Sequence, residues 1–108
     1  VHVTNGTSEA LWRRDTHMSS GSCSATFERL APGEAGVIRF SGDGGFGGGV
    51  ALPLGDNELV FIRAWSSSLV GAKKGFDMKF ADAGRSAAEL YSSDTSEPMA
   101  ADAVAPLR

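Results

Sequence analysis

Leu59-Val60-Phe61-Ile62-Arg63-Ala64-Trp65 and, further on, Gly75-Phe76-Asp77-Met78-Lys79-Phe80-Ala81-Asp82 decide the fold. The first stretch is apolar on both faces of a strand, the pattern of a central strand buried against a second layer. The second alternates, with Phe76, Met78 and Phe80 on one face and Asp77, Lys79 and Ala81 on the other, as a half-buried strand requires. Ser66-Ser67-Ser68 ends the first.

Upstream, Val50-Ala51-Leu52 reads as a brief strand closed by Pro53-Leu54-Gly55-Asp56-Asn57. Ser41 to Gly49 reads as a flexible glycine loop around Phe46, since glycine weakens a strand and has no side chain to pack. Val37 to Phe40 is a strand, and so is Ala25 to Leu30, stopped by Ala31-Pro32-Gly33-Glu34, where proline presets one turn dihedral and Gly33 accepts a positive φ. Ser19-Ser20-Gly21 breaks the chain. Ala10-Leu11-Trp12 begins a strand running toward Arg13, and Val1 to Thr4 begins another, the two joined through the turn Asn5-Gly6-Thr7.

No apolar stripe at helical spacing persists for three turns before Ser86. Short strands separated by Gly/Pro/Asn turns give an all-β fold, an antiparallel β-sandwich of about seven to eight strands. Residues 1–92 form its single domain. Ser92 onward, through Ser96-Glu97-Pro98 and the alanine-rich end, reads as a flexible C-terminal tail over 93–108, with a final edge strand around Glu89-Leu90-Tyr91 as a further reading.

A length of 108 residues suits one core. Thirteen acidic against ten basic side chains give a net charge of -3, and the basic residues are dispersed, which argues against a nucleic-acid binder driven by phosphate neutralisation. Lys73-Lys74 reads as a solvated pair that discourages strand aggregation. No apolar run approaches the roughly 18 residues of a membrane-spanning helix, and Val1-His2-Val3-Thr4 is not a signal peptide, so a soluble chain of open compartment is expected. A single Cys23 leaves no internal disulfide and reads as a half-buried packing residue.

Chemistry-bearing motifs are sparse. Gly42, Gly44 and Gly47 satisfy G-x-G-x-x-G, but a strand follows them where a dinucleotide site needs a helix N-terminus. Asp15, His17 and the serines can be arranged on paper as a hydrolytic triad, yet no G-x-S-x-G elbow supports a nucleophile. The Cys and His spacing builds no zinc site, and Asp43 with Asp56 lacks the dense oxygen ligands of a calcium loop. The expectation is a non-enzymatic chain with no metal and no cofactor. Asn5-Gly6-Thr7 has the form of a glycosylation sequon, and turn chemistry accounts for the same residues. Of the amphipathic aromatics, Trp65 is read first as a core residue and Trp12, beside Arg13-Arg14, as the better surface candidate.

The order Asp56-Asn57-Glu58, the apolar strand to Trp65 and Ser66, Gly75 to Phe80 and then Glu89-Leu90-Tyr91 resembles the actinoporin-like superfamily; fungal fruit-body lectins and aegerolysins have comparable layouts. Asn5, Ser20-Gly21, Ala31-Pro32-Gly33 and Gly49-Val50 run in a similar order. The resemblance implies a β-sandwich that recognises a lipid headgroup or glycan at loops on one end. Where the family carries a tyrosine cluster with a Ser and a Pro, this sequence has Ala64-Trp65-Ser66-Ser67-Ser68, and only Tyr91 has a counterpart, so choline recognition is not expected. The chain begins on a strand without an inserting amphipathic helix, so unaided pore formation is not expected either.

The functional expectation is a binding module for a membrane lipid headgroup or carbohydrate, acting through Trp12, Trp65, Ser66, Ser68 and Tyr91, with a membrane surface among its partners and nucleic acid excluded. The alternative is a self-associating structural or protein-interaction domain that forms a homo-oligomer through its strands.

Overall fold

The computed structural model describes residues 1–13, 15–67 and 73–93, and within them the chain is an antiparallel β-sandwich of nine strands and one short helix. The smaller sheet joins β1 (His2–Thr4), β6 (Ala35–Ser41) and β4 (Ser22–Ala25) in the order β1-β6-β4. The larger joins β5 (Arg29–Leu30), β2 (Leu11–Trp12), β7 (Gly45–Leu54), β8 (Glu58–Ser67) and β9 (Lys73–Asp82) in that order. A further strand, β3 (Asp15–Ser20), pairs with the part of β7 that β2 does not reach.

Side-chain alternation along β7, β8 and β9 sorts residues onto two faces. Val50, Leu52, Leu54, Val60 and Ile62 turn inward with Leu11 and Leu30, and meet Val3 and Ile38 of the smaller sheet. Met78 and Phe80 pack on the same core from β9, on the face that the alternating pattern predicts. Phe40 and Phe46 stack at a centroid distance of 5.8 Å between the sheets. The Leu59 to Trp65 stretch is a central strand, because β7 and β9 hydrogen-bond to it on either side.

Four local expectations change. The glycine loop over Ser41–Gly49 is a strand from Gly45 onward, with Gly45 to Gly49 paired in register against Ser67 to Arg63. Strand propensity gives way to tertiary packing there, because a Cβ on Gly49 would run into the Phe61 ring and one on Gly47 would crowd the Tyr91 and Ser19 hydroxyls. Ala25 to Leu30 is not one strand. Ser22–Ala25 belongs to the small sheet, Arg29–Leu30 to the large one, and Phe27 between them is buried. Asp15–Ser20, whose polar alternation offers no apolar face to read, forms β3.

The fourth change is at the end of the sheet. Glu89-Leu90-Tyr91 lies in a helix, α1 (Ala87–Ser93), and not in an edge strand. Ser86 Oγ accepts the Glu89 amide at 3.1 Å, and Arg85 Nε meets Glu89 Oε1 at 2.8 Å. This is an N-cap with one i,i+4 ion pair. Ala87 and Leu90 are fully buried and pack with Ala51, Leu59 and Phe61 as a second core on the outer face of the large sheet. The expected tail, beyond Ser93, lies outside the described residues.

The turn at Ala31–Glu34 is as read, with Gly33 at φ +85° and the Glu34 amide donating to the Ala31 carbonyl at 3.0 Å. Asn5 does more than turn the chain. Fully buried, it donates from Nδ2 to the carbonyls of Glu9 at 2.7 Å and Leu30 at 2.9 Å, and accepts at Oδ1 from the Thr7 amide and hydroxyl. Both amide hydrogens of the sequon asparagine are thus committed to the fold.

Candidate functional site

The outer face of the large sheet carries the chemistry, and register alone sets its layout. Residues directly opposite one another in an antiparallel pair share a face. Gly47, Trp65 and Gly75 therefore form one row across β7, β8 and β9. His17, Gly49, Arg63 and Asp77 form the next, and Asp15, Ala51, Phe61 and Lys79 the one after. Trp65 thus stands between two glycines, both of them buried.

On the β3 side, α1 forms a wall. The Tyr91 ring lies 5.2 Å from that of His17, and its hydroxyl is 3.0 Å from Ser19 Oγ, which donates to the Gly47 carbonyl at 3.0 Å. Two hydroxyls therefore converge over Gly47 while Trp65, 38% exposed, borders it from the next strand. The result is a shelf with an exposed indole, a hydroxyl pair and an imidazole. Gly47 is buried beneath it, and its missing side chain makes room for the two hydroxyls.

Beside the shelf, Arg63 Nη2 and Asp77 Oδ2 pair at 2.8 Å with both side chains about nine-tenths buried. Neither residue is among those expected to bind ligand. Their signal was an arginine in the middle of the most apolar strand and an aspartate in the middle of the alternating one, which antiparallel register places opposite each other. His17, a member of the paper triad, and Ser19, expected only to break the chain, are both contacts of Tyr91.

The expected ligand residues do not form a single cluster. Trp65 and Tyr91 meet around Gly47. Ser66, next in the chain, points to the opposite face, in the row of Phe46, and is half-buried. Ser68 lies outside the described residues. Trp12 is 49% exposed on the outer face, with the Arg29 guanidinium 5.5 Å from its ring centre. Its neighbour Leu11 pairs with Leu54, seven residues along β7 from Gly47, a separation of about 24 Å at the rise of a strand. The two tryptophans stand at opposite ends of the sheet.

Searched against protein-family models, curated proteins and solved structures, the chain finds no match. The site is therefore read from its own geometry.

That geometry gives the paper triad other work. Asp15 Oδ2 accepts the Ala87 amide at 2.7 Å, and Ser19 Oγ bonds to Tyr91 and Gly47. Among the described residues no group of three His, Cys, Asp or Glu side chains is placed to hold a metal ion, and no helix is long and apolar enough to cross a membrane. Cys23, on the inner side of β4, packs against the main core. Desolvation pushes its thiol pKa up, with the Arg13 charge offsetting part of the shift, so the reactive thiolate is disfavoured.

Proposed function

We propose that the domain is a non-enzymatic binding module for a carbohydrate, free or as the headgroup of a glycolipid, and that the shelf around Gly47 holds it. One observation carries this reading: the exposed Trp65 stands beside Gly47, over which the Tyr91 and Ser19 hydroxyls converge. A sugar ring offers an apolar face that packs on an indole and hydroxyls that exchange hydrogen bonds with Tyr and Ser. The sequence resemblance to the actinoporin-like superfamily and fungal lectins supports the same class of ligand. Choline-type headgroups fit less well, since a quaternary ammonium needs several aromatic faces and Tyr91 is the only tyrosine.

The test is a glycan array run beside flotation with vesicles containing neutral glycolipid or phosphatidylcholine alone. Binding to a sugar, on the array or on the vesicle, that Trp65→Ala and Tyr91→Phe weaken supports the proposal. A folded protein that binds no sugar in either format contradicts it.

A further inference from the structure

We infer that Asp15 is a positioning residue for this shelf, acting at a distance through α1. Asp15, His17 and Ser19, the last at a shift in the β3–β7 register, each meet α1: Asp15 through the Ala87 amide, His17 through the Tyr91 ring and Ser19 through the Tyr91 hydroxyl. The strand is a ladder that fixes the helix at its first residue and again one turn later. The inference rests on reading the shelf as a ligand site, because Tyr91 is the part of the ladder that reaches it.

The physical case begins with length. A helix of seven residues has no stability of its own in water. It stays folded only while docked, and its first amides need acceptors. Ser86 Oγ takes the Glu89 amide, and Asp15, 72 positions away in the sequence, takes that of Ala87. Leu90 and Ala87 supply the apolar contact with Phe61 and Leu59. Apolar contact alone leaves the helix free to slide or rotate on the sheet. The Asp15 bond fixes its register, and that register brings the Tyr91 hydroxyl to Ser19 over Gly47.

Two further features follow. The hydrogen bond of Asp15 goes to the Ala87 amide and not to Tyr91 or Ser19, so its loss is expected to act through the position of Tyr91. Ligand binding at Tyr91 and docking of α1 are also linked reciprocally, each strengthening the other by the same factor.

Hydrogen exchange and NMR on the full chain without ligand test the positioning role. In Asp15→Ala, amide exchange of Leu90 and Tyr91 is expected to quicken on the order of fivefold, the usual effect of losing a helix cap, and the His17 ring protons lose the shift imposed by the Tyr91 ring. Asp15→Asn, which keeps an acceptor oxygen, restores both. Ser19→Ala, which leaves the Ala87 bond intact, alters the His17 shift while exchange at Ala87 stays slow, and it reads out the ladder even where the Asp15→Ala chain fails to fold. Unchanged exchange and ring shifts in both alanine variants, or failure of the Asn variant to restore them, would overturn the inference. A silent glycan screen with these shifts present would remove the ligand reading and leave the positioning role standing.

Discussion

Arg63 on β8 and Asp77 on β9 stand directly opposite each other, Nη2 to Oδ2 at 2.8 Å, buried on the face of the sheet away from the main core. Removing one member of such a pair leaves its partner's charge in a poorly solvated place, at a cost of about 3–5 kcal/mol. Arg63→Met is expected to lose stability on that scale in urea unfolding. The double variant Arg63→Met with Asp77→Leu recovers most of the loss, because two packed apolar side chains replace the pair. A double variant less stable than either single one would contradict this account.

Gly49 lies beneath the Phe61 ring, which occupies the place a side chain would take. Gly49→Ala is expected to cost about 1–3 kcal/mol through overpacking of a closed core. Combining it with Phe61→Leu should show a favourable coupling of at least about 0.5 kcal/mol in a double-mutant cycle, since the smaller side chain vacates the contested space. Strict additivity would mean the two positions do not compete.

Asn5 makes four side-chain hydrogen bonds, three within the first loop and one to Leu30 of β5. Asn5→Ala takes the donor from the buried Leu30 carbonyl and is expected to cost about 1–3 kcal/mol. Asn5→Asp is expected to be at least as damaging, because it turns an oxygen toward the carbonyls of Glu9 and Leu30. Mass spectrometry of folded protein from a glycosylating host should find Asn5 unmodified, as its amide nitrogen has no hydrogen to spare.

Cys23 sets a pH dependence with a definite sign. Its folded thiol pKa is raised by desolvation, so the native state holds its proton to higher pH than the unfolded chain does. The contribution to stability is complete below the ordinary thiol range and is lost as pH rises from there through the raised value. Urea unfolding across that window should fall less steeply with pH for Cys23→Ala than for the parent. Equal slopes would remove Cys23 as a source of the effect, and a disulfide-exchange reagent should label native protein more slowly than unfolded protein.

The paired apolar and alternating strands made the sandwich legible, because Leu59 to Trp65 and Phe76 to Phe80 bury side chains with the strand period. The site was legible only in part. Tyr91 and Trp65 stood out as aromatics, but their meeting depends on Gly47, and glycines in a run look like a loop until the groups that press on them are known. Ser86-Ala87-Ala88-Glu89 carried a capping-box pattern, followed by Leu90 and Tyr91 at helical spacing from Ala87. That signal was present and was outweighed by the strand periodicity of everything before it. β3 was hidden for another reason: Asp15, His17 and Ser19 face a helix with polar groups, so no apolar alternation marks them. Trp12 and Ser66 show the limit of naming residues by type, since opposite ends and opposite faces of a sheet are decided by register.

The most direct test of the shelf compares Trp65→Ala with Trp12→Ala in calorimetric titration against the sugar that binds the parent protein best on the array. Losing an aromatic platform at a ligand site costs about 1.5–3 kcal/mol, so Trp65→Ala is expected to weaken binding at least about tenfold, while Trp12→Ala, about 24 Å away along β7, leaves it within about twofold. Binding that survives Trp65→Ala and disappears in Trp12→Ala would contradict the account and move the site to the other end of the sheet.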